Sequence, residues 1–356
     1  MKKALKITGK ICKWIGLILL VLITAFFIAR SIGMGLNKRT PDGGINESML
    51  VDINGTKQWI NIYGQDKDNP VLLYLHGGPG SATSQIDYAF TRKWSDVYTV
   101  VTWDQRGCGK SYNTSKTDTI TSDIMMQDGR EMTEYLLEYM GKDKITLLGH
   151  SWGSMYGANL ALEYPDYYDA FIGTGQFIDD QENEQRLYDA AQKWSEGDED
   201  GKAILAKWSP DSADSIEALQ ARNDIMERYG YGMMKDGTDY NVFTTVLFNP
   251  NYLVKDYIGF IKNSSAEAYE PYMDFFTGDM SKLSLLGKYD YEVPYYNING
   301  DMDYQTNYEL ACEYFEQVDA PEKEMFVMKD ATHGLLESRS EEFSEYIHKI
   351  AEKQRN

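Results

Sequence analysis

The chain has 356 residues, 42% of them hydrophobic, and a formal net charge of −20, a composition that predicts a folded protein with a sizeable core and excludes general disorder. Eight of its 35 Lys and Arg residues lie within positions 1–39, where no Asp or Glu occurs, so the rest of the chain carries 27 basic against 55 acidic side chains. A domain this acidic repels phosphate groups, and nucleic acid is therefore excluded as a partner.

The first predicted element is a membrane-spanning helix. Residues 11–29 are almost continuously apolar, and a helix of that length spans about 28 Å, close to the ~30 Å hydrocarbon core of a bilayer. More basic residues precede this run than follow it closely, which predicts a cytoplasmic N-terminus and a main domain outside the cytoplasm. A cleaved signal peptide is the alternative, but the run ends in Phe26-Phe27-Ile28 without an Ala-x-Ala site. We expect a single-pass anchor in the lipid bilayer of the cell membrane over residues 1–36 and a polar linker over 37–47.

Strands and helices alternate after the linker. Two early strands flank Asn54-Gly55, a residue pair typical of a hairpin turn. Later apolar and β-branched runs predict strands, and runs with apolar residues at helical spacing predict helices between them. The strands are predicted at 49–53, 58–64, 71–77, 97–104, 145–149, 170–175, 293–300 and 324–330, and the helices include 122–139 and 152–164. Continuous apolar strands separated by helices predict an α/β fold with a mostly parallel sheet that helices cover on both faces.

One long stretch interrupts this alternation. Residues 177–290 are rich in Glu, Asp, Gln, Tyr and Met, show helical spacing and contain few strand-like runs. We interpret them as a helical cap inserted over the carboxyl edge of the sheet. The core of the domain is then formed by two segments, residues 48–176 and 291–356.

A serine lies between two glycines at the end of a predicted strand. The sequence Gly149-His150-Ser151-Trp152-Gly153 fits the pattern G-x-S-x-G, in which a sharp turn from strand to helix exposes a nucleophilic serine above the sheet. The glycines are needed because the tight turn leaves no room for Cβ atoms beside the sheet. A strand precedes this pattern and a helix follows it, so we predict that Ser151 is a catalytic nucleophile.

A nucleophilic serine needs a base and an acid that orients the base. Of the four histidines, His333 follows the last predicted strand and begins a loop, the position that this arrangement gives to the base. The loop after the strand at 293–300 holds Asp301 and Asp303, and the chain order Ser, Asp, His is the one expected for such a fold. We choose Asp303 as the triad acid and keep Asp301 as the alternative.

Acyl transfer also requires donors for the oxyanion. We predict that the backbone N–H of Trp152, the residue after the nucleophile, is one donor. The other is the N–H of Gly78, in the glycine-rich loop 76–80. No cofactor is needed for this chemistry. Because Cys12, Cys108 and Cys312 form no pair or Cys/His cluster with zinc spacing, we expect no metal site.

Five motifs together resemble one family. They are HGGPG at 76–80, DQRGCGKS at 104–111, GHSWGS at 149–154, GDMD at 300–303 and ATHG at 331–334. In this order and spacing they are similar to the prolyl iminopeptidase branch of the α/β-hydrolase superfamily. The resemblance implies the α/β-hydrolase fold and the release of N-terminal residues, often proline, from peptides. It also implies that the segment 104–107 braces the oxyanion loop and that Cys108 is not catalytic.

The substrate is less well defined by the sequence than the catalytic residues are. An exopeptidase needs carboxylates that hold the free ammonium of the peptide, and Glu182 and Glu184 at the start of the cap are the candidates. An acidic helix face in water is the alternative interpretation of these two residues. An esterase, lipase-like or lactone hydrolase with the same triad is the competing function. A non-catalytic binding domain is disfavoured because all three triad positions are filled. The oligomeric state stays open.

Overall fold

The computed structural model describes residues 2–112, 119–212, 215–263 and 270–355. The first element, α1 (Lys2–Asn37), is one continuous helix. Its segment Lys10–Asn37 is apolar and long enough for a membrane span, and its most apolar part is not buried against the rest of the protein. A signal sequence near an N-terminus has the same length and composition, so the helix fits either role.

Eight strands form one sheet in the order β1-β2-β4-β3-β5-β6-β7-β8. The strands are β1 (Ile45–Ile53), β2 (Thr56–Gly64), β3 (Val71–Leu75), β4 (Thr99–Asp104), β5 (Ile145–His150), β6 (Tyr168–Thr174), β7 (Tyr295–Gly300) and β8 (Lys323–Met328). The β1–β2 and β2–β4 pairs are antiparallel and all other pairs are parallel. The predicted hairpin at Asn54-Gly55 joins β1 to β2. All residues of the central strands β3, β4, β5 and β7 are buried, as expected for a parallel sheet covered on both faces.

Helices cover both faces of this sheet. One face carries α3 (Ser122–Met140), α4 (Trp152–Glu163) and α11 (Tyr308–Gln317), whose apolar residues join one hydrophobic cluster with the strands. The other carries α2 (Tyr88–Thr91), α12 (Leu335–Ser338) and α13 (Ser340–Arg355), which bury residues such as Phe90 and Phe343 in a second cluster. The predicted α/β fold with a mostly parallel sheet is confirmed.

The described residues between β6 and β7 contribute no strand to the sheet. They form α5 (Asp180–Trp194), α6 (Glu199–Leu205), α7 (Ile216–Arg228), α8 (Val242–Leu247), α9 (Val254–Asn263) and α10 (Met273–Thr277). The helices α5 to α7 share their own apolar cluster, which includes Leu187, Leu205 and Ile225. The other part of this region contacts α1, since Asn37 Nδ2 donates to the carbonyl of Phe248 at 3.0 Å.

The start of β1 differs from the prediction. The strand begins at Ile45, four residues before the predicted start, and overlaps the end of the predicted linker. The added residues pair with the end of β2, where Ile45 lies opposite Gly64. Three of them, Asn46, Glu47 and Ser48, are polar, because β1 is an edge strand that does not need a buried face here.

Candidate active site

The turn between β5 and α4 holds Ser151 in an unusual backbone conformation. Its φ is 58° and its ψ is −126°, in a region that residues with a side chain rarely adopt. The Ser151 N–H donates to the carbonyl of Thr174 at 3.0 Å, which ties the turn to the carboxyl end of β6. A Cβ at Gly149 would overlap the carbonyl of Gly153, and a Cβ at Gly153 would overlap the carbonyl of Leu75. The contacts around both glycines therefore hold Ser151 in its strained geometry.

His333 and Asp303 lie side by side in a buried position. His333 Nδ1 is 2.8 Å from Asp303 Oδ2, and their side chains are 3% and 1% exposed. Because a carboxylate accepts hydrogen bonds, Nδ1 carries the ring proton of a neutral His333, and Nε2 is left as the basic nitrogen. The N–H and the hydroxyl of Thr306 both donate to the Asp303 carboxylate at 3.0 Å and hold it in place.

Asp301, the alternative acid, lies elsewhere in the same loop. Its carboxylate accepts from the N–H of Asp330 at 2.7 Å and from Lys329 Nζ at 3.2 Å. These contacts join the loops after β7 and β8 at the surface. Of the two carboxylates, only that of Asp303 lies next to His333.

Two residues at the end of β6, Thr174 and Gly175, lie between Ser151 and the His333–Asp303 pair. Thr174 accepts the hydrogen bond from Ser151, and a Cβ built on the next residue, Gly175, would lie 2.9 Å from His333 Cε1 and 3.4 Å from Asp303 Oδ2. Ser151, His333 and Asp303 are thus brought to the same edge of the sheet, at the carboxyl ends of neighbouring parallel strands. This is where open α/β sheets place their ligand sites.

The glycine-rich loop after β3 reaches over Ser151. A Cβ on Gly77 would lie 3.1 Å from Ser151 Cβ and 3.6 Å from its Oγ. Gly78 has φ +118°, and a Cβ there would be 2.7 Å from the N of Ser81, so only glycine fits. Trp152 is the first residue of α4, where backbone N–H groups lack helical partners. Trp152 thus directly follows Ser151 in the chain, and Gly78 directly follows Gly77, the residue that approaches the Ser151 side chain.

Gln105 connects these two donor segments. Its Nε2 donates to the carbonyl of His76 at 3.1 Å, and its Oε1 accepts from Trp152 Nε1 at 3.1 Å. Burial lowers the pKa of His76 to about 4, so its ring is neutral, with Nε2 accepting from the Gln105 N–H at 3.2 Å. The neighbouring Arg106 forms a buried two-bond ion pair with Asp128. Within the segment 104–107, Gln105 thus contacts the glycine-rich loop, as the family resemblance implied.

Cys108 lies beside this bracing segment. Burial raises the pKa of its thiol well above the usual value, and a protonated thiol is a poor nucleophile. Within the described parts of the chain, no group of three or more His, Cys, Asp or Glu side chains is placed to hold a metal ion.

Comparison with known sequences identifies the family. Residues 70–340 match the family described as the alpha/beta hydrolase fold. The chain belongs to the α/β-hydrolase family. The predictions that it has this fold and is a hydrolase are confirmed.

Two sequence relatives refine the position of this hydrolase within the family. It is 29% identical to the probable aminopeptidase YbaC of Bacillus subtilis (strain 168) over 299 residues, which cover 80% of this chain and 89% of that protein. It is 32% identical to the proline iminopeptidase of Clostridioides difficile (strain 630) over 111 residues, 31% of this chain and 36% of the relative. The predicted similarity to proline iminopeptidases is confirmed, and in sequence it spans about a third of each chain.

Solved structures share the fold of this hydrolase. A proline iminopeptidase-related protein from Thermus thermophilus aligns with a TM-score of 0.57 at 19% identity, over 87% of this chain and 98% of its own. A membrane phospholipase A, described as a bacterial virulence factor, aligns over 100% of both chains with a TM-score of 0.59 at 17% identity. At these identities the alignments show the common fold alone.

His150 is a site residue that the sequence analysis did not assign. Its ring stacks on that of His333, with centroids 4.7 Å apart, and its Nε2 lies 3.1 Å from the His333 carbonyl. A carbonyl only accepts, so Nε2 carries the proton. Burial and the nearby His333 lower the pKa of His150 to about 3, which keeps the ring neutral. The clue in the sequence was the position next to Ser151, but strand alternation gave no indication that the ring reaches His333.

Replacing His150 with alanine is expected to lower kcat about 10- to 100-fold at nearly unchanged KM, because the His333 ring loses its stacking partner and small misplacements of a catalytic group have costs of this size. His150→Phe keeps a flat ring and should recover part of the loss. Steady-state kinetics of both variants provide the measurement. Full activity of His150→Ala would show that Asp303 and Thr306 suffice to position His333.

The burial of His150 also predicts that the stability of the protein depends on pH. The folded-state pKa of His150, about 3, lies below the unfolded value of about 6.5, so the wild type loses stability relative to His150→Phe as the pH falls below about 6.5. Between pH 7.5 and 5 the difference in unfolding free energy should change by about 2 kcal/mol. Urea unfolding of both proteins in detergent at the two pH values measures it. If the difference in unfolding free energy is the same at both pH values, His150 binds its proton as readily in the folded protein as in the unfolded chain.

The two predicted cap carboxylates lie on α5 and both contact arginines. Glu182 Oε1 accepts from Arg186 Nε at 2.8 Å on the surface, and the same guanidinium binds Glu313. Glu184 is buried and accepts from Nε and Nη2 of Arg222 at 2.7–2.9 Å. Arg222 also donates to Gln305 Oε1 at 2.8 Å, in the loop that carries Asp303. Glu184 is therefore linked to the catalytic loop, whereas Glu182 lies on the outer face of the helix.

Asp180 is a third acid at the start of α5. Burial and the charge of Glu184 raise the pKa of Asp180 to about 6. Asp180 therefore lies within electrostatic range of the Glu184–Arg222 ion pair, and its carboxylate adds negative charge to this group when it is ionised.

Glu184→Gln is expected to destabilise the protein by about 3–5 kcal/mol, because it leaves the buried Arg222 guanidinium without its charged partner. Glu182→Gln is the matched control on the same helix and should cost no more than about 1 kcal/mol, since its ion pair is exposed. Chemical unfolding monitored by tryptophan fluorescence compares the two. Equal effects would contradict the structural distinction between these carboxylates.

Proposed function

We propose that this hydrolase is a membrane-anchored serine aminopeptidase that releases N-terminal residues, proline among them, from small peptides outside the cytoplasm. The observation that carries the proposal is the buried His333–Asp303 pair at the same sheet edge as the strained Ser151 turn. Similarity to an aminopeptidase and to proline iminopeptidases supports the choice of peptides as substrates.

In the proposed mechanism, His333 Nε2 takes the proton of Ser151 Oγ as the serine attacks the scissile carbonyl. The N–H groups of Gly78 and Trp152 hold the oxyanion of the tetrahedral intermediate. His333 then protonates the leaving amine, and the acyl group remains on Ser151 until water, activated by the same imidazole, releases it. Asp303 keeps the proton on Nδ1 and stabilises the imidazolium. The mechanism uses no cofactor or metal.

Specificity for a free N-terminus requires negative charge near the substrate ammonium. We assign this role to the acidic start of α5, where Asp180 lies within electrostatic range of the Glu184–Arg222 ion pair and Glu182 lies two residues from Glu184. The net negative charge of the Asp180–Glu184–Arg222 group supports this assignment, because one further cation would neutralise it. Glu182 remains a candidate, although its ion pair with Arg186 makes it the weaker one.

The membrane anchor is assigned to α1. The apolar length of Lys10–Asn37 and the excess of lysines before the apolar run support a single span with a cytoplasmic N-terminus. The catalytic domain then lies on the opposite side of the membrane.

Esterase or lactone hydrolase activity is the second candidate. It is favoured by the ion pairs of Glu182 and Glu184, because a carboxylate already neutralised by an arginine attracts an ammonium weakly. A neutral substrate would need no such charge. The same triad would cleave it.

The test compares substrates on the full chain in detergent. Prolyl and alanyl arylamides, their N-acetylated forms and a short-chain aryl ester are assayed, with Ser151→Ala as the blank. Cleavage of the free-amine arylamides alone is expected. Cleavage of the ester alone, lost in Ser151→Ala, would retain the triad and reject the peptidase function, and cleavage of none would reject both.

A further inference from the structure

The C-terminal part of α1 is fixed to the segment that leads into α9. Arg30, the first residue after the predicted span, is buried, and its Nη2 donates to the carbonyl of Tyr252 at 2.6 Å. Its guanidinium also lies 5.9 Å from the ring centroid of Tyr257 on α9. If α1 spans the bilayer up to Arg30, these contacts hold the start of α9 at the level of the membrane surface.

The outer face of α9 is apolar and exposed. Val254, Ile258 and Ile261 are 52%, 55% and 72% exposed, and their spacing of four and three residues places them on one side of the helix. The residue before the helix, Leu253, is 53% exposed. A row of large apolar side chains in water is unfavourable and indicates a binding surface.

Two other residues of α9, Asp256 and Tyr257, attach the helix to the protein. Tyr257 donates to the carbonyl of Val246, and the Asp256 carboxylate lies 3.7 Å from Lys110 Nζ. The apolar face is therefore not free to turn inward.

A cleft of about 710 Å³ connects this face with α1 and the edge of the sheet. Its lining includes apolar residues from all three elements, namely Met34, Leu50 and Ile258, and the basic side chains of Lys38 and Lys255. Apolar residues next to lysines match the boundary between acyl chains and lipid phosphates.

We propose that α9 lies in the bilayer interface, with Val254, Ile258 and Ile261 inserted among the acyl chains beside the point where α1 leaves the membrane. The occupant of this face is thus the lipid bilayer, because the face continues the surface of the membrane anchor. The inference rests on the anchoring part of the proposed function and is independent of the substrate. It means that the catalytic domain contacts the membrane at two places and has a fixed orientation on it.

Fluorescence quenching by lipids tests the proposal on the full chain. The exposed Cys12 and the partly exposed Cys312 are replaced by serine, the buried Cys108 is kept, and Ile258→Cys is labelled with the environment-sensitive fluorophore NBD. The protein is reconstituted into phosphatidylcholine vesicles with and without lipids that carry a doxyl quencher on the acyl chain. Ile216→Cys, on α7 and 79% exposed, is the matched control, and Leu20→Cys inside the span reports on the anchor.

We expect quenching at position 258 at least twofold stronger than at 216, with strong quenching at 20. Quenching at 20 but not at 258 would overturn the proposal and leave the anchor intact. No quenching at 20 would reject the anchor and the proposal together. If 258 shows a blue-shifted emission that depends on protein density but not on the quencher, the face binds a second copy of the chain and the proposal is wrong. An aminopeptidase assay on the same vesicles reports separately on the catalytic proposal.

Discussion

Ser151→Ala is expected to reduce kcat about 10⁶-fold on every substrate that the wild type cleaves, leaving only a residual rate above the uncatalysed background. The loss is this large because covalent catalysis ends when the nucleophile is removed, while the oxyanion donors and the binding site contribute only the remainder. Initial rates with the best substrate, measured at high enzyme concentration, provide the test.

Ser154 provides the matched control for this substitution. It lies in the same motif, but its hydroxyl donates to the carbonyl of Ser151 at 2.6 Å and accepts from the N–H of Phe177 at 2.8 Å. Ser154→Ala should therefore lose about 1–3 kcal/mol of stability and keep measurable activity. A fluorophosphonate should label Ser154→Ala but not Ser151→Ala, as detected by mass spectrometry. Labelling of Ser151→Ala at another serine would assign the nucleophile elsewhere.

Asp303→Asn should reduce kcat about 10⁴-fold while leaving the fold intact. The N–H and hydroxyl of Thr306 favour an oxygen at the acceptor position, so the asparagine turns an amide NH₂ toward His333 Nδ1 or loses its own hydrogen bonds. The first arrangement makes Nδ1 an acceptor and places the ring proton on Nε2, the nitrogen that must accept the serine proton. The second keeps the proton on Nδ1 but leaves the Thr306 donors without their acceptor. The pH–rate profile and kcat of the purified variant measure the effect.

Asp301→Asn is the control because it changes the same loop by the same atoms. Its carboxylate binds Lys329 and the N–H of Asp330 at the surface, so activity should stay within about threefold of wild type. If Asp301→Asn were the inactive variant and Asp303→Asn the active one, the assignment of the triad acid from the present geometry would be wrong.

The order of strands and helices could be predicted from the sequence because the central strands are buried on both faces of the sheet and are therefore mostly apolar. The strand β3 and the first part of β5 are mostly apolar runs, and the turn at Ser151 is indicated by the glycines on either side. The position of His333 followed from the order of strands alone. These features depend on residues that are close in sequence, which is why patterns reveal them.

Contacts between side chains that are far apart in the sequence could not be predicted from such patterns. The stacking of His150 on His333 joins residues 183 positions apart, and the ion pair of Glu184 with Arg222 joins two separate helices, α5 and α7. Gln105 was expected to support the oxyanion loop through family resemblance, but its bond to Trp152 was not foreseen. The early start of β1 was missed because polar edge residues carry no alternating pattern.

The long segment between β6 and β7 determines how late in synthesis the candidate active site is complete. β6 pairs directly with β7, although residues 175–294 separate the two strands. Ser151 is therefore synthesised long before Asp303 and His333, which lie within the last 54 residues. If the domain crosses the membrane starting from the residues next to α1, the emerging polypeptide has a nucleophile turn with no base beside it. In the proposed mechanism, hydrolysis then begins only after the C-terminal strands have crossed the membrane and joined the sheet, so a stalled or truncated chain would be inactive.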